Sequence, residues 1–175
     1  ARDELLSGIF RHAGVSTLSV DLLAREEEHF PDVHNNVSLL ARRLLDFIGL
    51  IKNRMLLGEL RTLPIGLCAT NATSPVVVRV AAQRDHDIAA IVCRGGLIDL
   101  AGMLYLHSLE SPLLLLLEES DASHIASSRR ALQEVHCRNE LKLIPEIGID
   151  YATSSGFEIA ARAASNWFLT HLSAS

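Results

Sequence analysis

The stretch Leu63–Thr73, L-P-I-G-L-C-A-T-N-A-T, decides the fold. A short apolar run stops at small residues, and an apolar, alanine-containing segment follows over Ser74–Ala82. That pattern predicts a strand over Pro64–Cys68, a tight turn, and a helix over about 74–83. In open α/β sheets such a junction lies at the carboxyl end of a central strand, where ligands and catalytic groups collect. The tip residue is Asn71, whose amide is a poor nucleophile. The stretch therefore marks a place for chemistry without supplying its usual reacting group.

The same alternation continues on both sides. Downstream, Ile88–Cys93 is a buried strand ending at Arg94-Gly95-Gly96, where glycine permits a sharp bend. Pro112 opens five leucines, Leu113–Leu117; a short bounded run after proline fits a buried parallel strand better than a helix. Ser123–Cys137 is expected to be a helix, Glu140–Ile144 a strand stopped by Pro145, and Ser155–His171 an amphipathic helix carrying Ile159, Ala163, Trp167 and Phe168. Upstream, residues 2–13 carry Leu5, Leu6, Ile9 and Phe10 at helical spacing. Val15–Leu22 alternates and is rich in β-branched residues, which predicts a strand. After a polar loop, Asn36 is placed to cap a long helix whose apolar stripe is Leu39, Leu40, Leu44, Phe47, Ile48 and Ile51. Alternating strands and helices imply parallel pairing by right-handed crossovers. The expected fold is a three-layer α/β/α sandwich around a mostly parallel sheet of about five strands.

With 175 residues, 49% of them hydrophobic, the chain can bury one core, and one domain over 1–175 is expected. The net charge of −5 is spread out, with Glu26-Glu27-Glu28 and Glu118-Glu119 answered by Arg42-Arg43 and Arg129-Arg130. Nucleic acid is not an expected partner, because phosphate neutralisation needs a concentrated basic surface. No apolar run approaches the roughly 18 to 20 residues that span a bilayer. The opening A-R-D-E-L-L lacks the pattern of a secretory leader, so a soluble protein of the cytoplasm or another intracellular compartment is expected. Cys68, Cys93 and Cys137 are odd in number and never form C-x-x-C, which argues against a disulfide framework or a zinc site. No cofactor is expected.

Five segments together carry a resemblance: L-P-I-G-L-C-A-T-N-A, I-V-C-R-G-G-L-I-D-L-A-G, S-P-L-L-L-L-L-E-E-S-D, L-K-L-I-P and N-W-F-L-T-H-L. The chain resembles the dienelactone-hydrolase-like branch of the α/β-hydrolases, some members of which are encoded with phosphoribosyltransferase domains. R-G-G-x-x-D-L-A-G over 94–102 is its most specific piece, and the likeness covers nearly the whole chain. The resemblance implies a nucleophile elbow, commonly G-x-S-x-G, an acid after a later strand and a histidine before the last helix. The elbow matches A-T-N-A-T over 69–73, with Asn71 at the serine position and Ala69 and Thr73 replacing the two glycines. The acid matches Asp121. The histidine position falls near Ile149, and no histidine lies between Cys137 and His171. The resembled fold also has a strand and a glycine-rich oxyanion loop before its first helix, whereas this sequence opens at that helix, as in a truncated form. The strand so lacking would lie between Val15–Leu22 and Pro64–Cys68. Either those two segments pair directly, giving five strands in order, or another segment fills the slot, since unsatisfied backbone rows are costly.

Acid without base or nucleophile cannot run an acyl-enzyme mechanism. The expected function is that of a catalytically inactive hydrolase-like protein that binds, scaffolds or assembles, with a protein partner or a second copy joining by strand addition. The alternatives are an ester or lactone hydrolase built around Cys68, Thr70, Asp121 and His124, and a small-molecule sensor using the remnant pocket. Thr70, Asn71, Ala72, Asp121 and His124 are the candidate ligand-binding residues. Each also has a plainer role: Asn71 tolerates left-handed backbone, the threonines suit turns, and Asp121 suits a helix cap. Glu118, Glu119, Asp121 and His124 contain metal-ligating types but no fixed fourth ligand, so no metal site is expected. Cys68 is expected to be a small core residue. The other histidines are scattered and are expected on the surface or in loops, and Met55-Leu56-Leu57 extends an apolar patch beyond the long helix.

Overall fold

The computed structural model describes residues 2–84, 86–146 and 155–172. Ile149, the position matched to the base, lies outside them. The elements in chain order are α1 (Arg2–His12), the short α2 (Pro31–His34), α3 (Val37–Leu56), β1 (Ile65–Thr70), α4 (Ser74–Gln83), β2 (Ile88–Arg94), α5 (Met103–Ser108), β3 (Leu113–Glu118), α6 (Ala122–Gln133), β4 (Asn139–Ile144) and α7 (Ser155–His171). Two 3₁₀ turns, Asn71–Thr73 and Ile98–Ala101, follow β1 and β2.

The strands form one parallel sheet in the order β1-β2-β3-β4. The leucine run is its buried centre: Leu113 to Leu117 are all 3% exposed or less. Leucine's helix preference yields here because both faces of the strand are covered. One face packs Leu40, Leu44 and Ile48 of α3 and Val76, Val80 and Ala81 of α4 against Leu67, Ala69, Ile91, Cys93, Leu113 and Leu115. The other packs Leu6 and Phe10 of α1 and Phe157, Ala160, Ala164 and Phe168 of α7 against Ala90, Val92, Leu114 and Leu116. The result is the expected three-layer sandwich. Asn36 caps α3, its Oδ1 accepting from the Leu39 N–H at 3.0 Å.

Three expectations are corrected. Val15–Leu22 is not a strand, and the sheet has four strands among the described residues, not five. Residues 16–23 make no backbone–backbone hydrogen bond with other described residues, because nothing described runs beside them to complete a ladder. β-branched alternation becomes a strand only with a partner. The segment rounds the sheet instead: Val15 packs with the α1/α7 cluster and Leu22 and Leu23 with the α3/α4 cluster. Arg43 holds it there, donating to the Leu22 carbonyl at 2.8 Å and to both oxygens of Glu27 at 2.6 and 2.7 Å. Second, the slot beside β1 is neither closed by direct pairing nor filled by another described segment: among the described residues β1 pairs as a strand with β2 alone. Third, Cys68 is exposed, because it stands on the outer strand near its carboxyl end and joins neither core cluster.

Candidate functional site

β1 delivers the turn as the sequence requires. Asn71 adopts φ 47°, the only positive φ at a non-glycine among the described residues. Asparagine reaches this left-handed region at lower cost than most residues. The turn is fastened by Thr73, whose hydroxyl donates to the Thr70 carbonyl at 2.8 Å and accepts the Thr70 N–H at 3.1 Å. Ser74, fully buried, opens α4 and donates to the Gly95 carbonyl at 2.8 Å.

Gly95 and Gly96 complete the clamp. Both have positive φ, 73° and 82°. A methyl on Gly95 would lie 2.5 Å from Asn71 Oδ1, and one on Gly96 would collide with the Asn71 carbonyl. The tip of the elbow is therefore seated against the glycine pair, which accounts for the glycines in R-G-G.

The acid and its neighbour sit two strands away. The ends of β1 and β3 are about 10 Å apart by strand spacing. Asp121 caps α6: Oδ1 accepts from the His124 N–H at 3.2 Å and the Ser123 hydroxyl at 3.1 Å, and Oδ2 lies 2.6 Å from His124 Nδ1. The His124 side chain, more than the cap and Ser123 bonds, holds the Asp121 carboxyl below its usual range. No hydrogen bond among the described residues joins Thr70, Asn71 or Ala72 to Asp121 or His124. The structure thus groups Thr70, Asn71 and Ala72, all exposed, at one strand end, and pairs Asp121 with His124 at another.

Two of the three thiols are held in the protonated form. Cys93, behind the elbow, is fully buried, and burial pushes its pKa far up. Cys137 is pushed up to about 11 by the same cause and donates to the Ser111 carbonyl at 3.1 Å. Cys68 is exposed on β1. No group of three or more His, Cys, Asp or Glu among the described residues is placed to hold a metal ion, and no described helix is long and apolar enough to cross a membrane. An open groove of about 300 Å³ lies between β4 and α7, lined by Lys142, Glu158 and Arg162, away from the elbow.

Two arrangements went unread in the sequence. Arg94, at the end of β2, stacks over Phe157 with 5.3 Å from Cζ to the ring centroid. His107 pairs with Glu134 at 2.7 Å and stacks on His136, with centroids 5.7 Å apart. Phe157 is 63 residues beyond Arg94, so no local pattern announces the first. The second joins residues of α5 and of the turn after α6, again without local spacing.

No protein-family profile matches the chain. It is 29% identical over 171 residues to a phosphoribosyl transferase-named protein of Mycobacterium tuberculosis, found in two strains; the match takes in 98% of this chain but 38% of that protein's length. The crystal structure of a dienelactone hydrolase from Anabaena variabilis superposes with a TM-score of 0.84 at 28% identity, over 98% of this chain and 79% of that one. Carboxyl esterase 2 of the fungus Tuber melanosporum superposes at 0.73 with 11% identity, over 98% and 72% of the two chains, a likeness of fold alone. The fold is that of the α/β-hydrolases, and the resemblance to their dienelactone-hydrolase-like branch holds in both sequence and structure.

Proposed function

We propose that this chain is a non-catalytic hydrolase-like unit that binds or assembles. The observation carrying this reading is Asn71: the elbow is fully built, down to its left-handed tip, its Thr73 lock and its glycine clamp, and presents a carboxamide. A carboxamide cannot form the acyl intermediate that this geometry exists to form. The rest of the machinery supports the reading. Both oxygens of Asp121 serve the first turn of α6, and the sequence has no histidine between His136 and His171 to act as base.

Binding has two places on this chain. The exposed Thr70, Asn71 and Ala72 line the carboxyl end of the sheet, where ligands enter α/β folds. The outer edge of β1 offers a row of backbone donors and acceptors to an added strand, supplied by a partner or a second copy. Hydrolysis of an ester or lactone is the competing reading, favoured by the 2.6 Å contact of Asp121 with His124 and by the exposed Cys68 thiol.

Purified protein assayed with short-chain p-nitrophenyl esters separates the two. Turnover no faster than buffer is expected. Hydrolysis that vanishes in Asp121→Ala would overturn the non-catalytic reading.

A further inference from the structure

Four arginines are half-buried among the described residues, and three of them are matched to oxygen: Arg43 to Glu27 and the Leu22 carbonyl, Arg79 to Ser38 and Tyr105, Arg84 to Asp87. Arg94 is the fourth. The only interaction of its side chain among the described residues is the stack on Phe157, itself 2% exposed. Its Nε is shielded from solvent and meets no acceptor. Glu118, at the end of the neighbouring β3, is half-buried, and no ion pair among the described residues joins it to Arg94. A guanidinium carries five donors and no acceptor, and burying part of it unmatched is unfavourable.

The position of Arg94 gives this vacancy a meaning. It closes β2 at the carboxyl edge of the sheet and is the ladder neighbour of Thr70, so both side chains leave the same face one strand apart. The adjoining Gly95 and Gly96 seat Asn71. Phe157 covers one face of the guanidinium and leaves its edge, the fork of donors that fits two coplanar oxygens.

We propose that Arg94 is an anion-binding residue, holding the carboxylate or phosphate group of a small ligand at the ends of β1 and β2 beside Thr70 and Asn71. The ligand's oxygens supply the acceptors that the described residues do not, and a turn of the guanidinium on Phe157 brings Nε into the same fork. This rests on the reading of that edge as a binding site and adds the chemical class of what it binds. It does not depend on the absence of hydrolysis.

The test is ¹⁵N-edited NMR of the Arg94 Nε–Hε pair and the Thr70 and Asn71 amides, titrated at pH 7 with sodium propionate and separately with sodium phosphate at ionic strength fixed by chloride. Saturating shifts with at least one anion are expected, and the one that saturates identifies the group. In Arg94→Gln the amide shifts should need about tenfold more anion or more, as expected when a charged hydrogen-bond donor is lost. Arg94→Lys keeps the charge without the fork, should also weaken binding, and serves alone if the glutamine variant does not fold. No saturation with either anion, or undiminished saturation in the variants, overturns the proposal. Ester turnover would defeat the non-catalytic reading and leave these shifts standing, whereas a silent titration would defeat the anion site alone.

Discussion

β1 and β4 are the two edges of one four-stranded sheet, yet they follow different rules. β4 reads N-E-L-K-L-I, with Glu140 and Lys142 exposed and Leu141 and Leu143 half-buried. Charges on an edge strand, lysine above all, discourage a further strand from adding. β1 reads I-G-L-C-A-T, without a charge, and is in this closer to the buried β3, whose one charge is its last residue, Glu118, than to the other edge. Its Gly66 passes so close beneath Phe168 that a methyl there would lie 2.5 Å from the ring. Near-continuous apolar runs mark strands of parallel sheets covered on both faces and paired on both sides. β4 is thus a finished edge, whereas β1 has the composition of an interior strand and the hydrogen bonds of an edge.

A substitution at the glycine clamp strikes the end of β1 and leaves β4 untouched. Gly96→Ala puts a Cβ into the Asn71 carbonyl at a φ of 82°. Left-handed strain and overpacking each cost on the order of 1–3 kcal/mol, so a loss of about 3 kcal/mol or more is expected, a fall of roughly 6–12 °C in Tm. Lys142→Thr, on the finished edge, should stay within about 0.5 kcal/mol. Thermal unfolding followed by circular dichroism measures both. Equal tolerance would mean that the elbow is not clamped by its glycines.

That clamp also shows what the sequence could and could not disclose. The elbow was legible because strand, small residues and helix are adjacent in the chain, and Leu113–Leu117 because a short apolar run after proline leaves few alternatives. Asp121 was legible as a cap by its place before a helix. Val15–Leu22 misled because alternation reports a capacity to pair, while pairing needs a neighbouring strand that local pattern does not reveal. Cys68 misled for the same reason: apolar context suggests a core, but exposure follows from the place of β1 at the side of the sheet, which needs the tertiary fold to be known. Arg94 on Phe157 was illegible because its two members meet only after β3, β4 and α7 have packed.

A charge placed on β1 would give it what β4 already has. Cys68→Lys puts an ammonium on an exposed outward position of β1, at little expected cost to the fold, within about 0.5 kcal/mol. If the unprotected edge is where strands add, wild-type protein should show a molar mass above that of one chain by light scattering as concentration rises, and the lysine variant should remain a monomer. A wild type that stays monomeric throughout, or a variant that associates as strongly, removes the edge from the assembly argument.

The smallest effect expected concerns the segment that rounds the sheet between α1 and α3. Glu27 takes both Arg43 nitrogens and the Ala24 N–H, and the Arg43 bond, more than the backbone one, lowers its carboxyl from 4.5 to about 2. A carboxyl lowered in the folded state adds stability that is fully present above its unfolded value, near 4.5, and is lost as pH falls through about 2. Solvent reaches the pair, so salt screens it and its contribution stays small. Arg43→Gln should therefore lower Tm slightly at pH 7, and the gap to wild type should close as pH falls from about 4.5 towards 2. The loss should also be local, because Arg43 ties the Leu22 carbonyl as well. Limited proteolysis at pH 7 should cut the variant first between Val15 and Phe30, while the sheet that β4 borders resists. A gap that persists at pH 2, or cleavage beginning elsewhere, would mean that packing of Leu22 and Leu23 against α3 holds this segment in place without the ion pair.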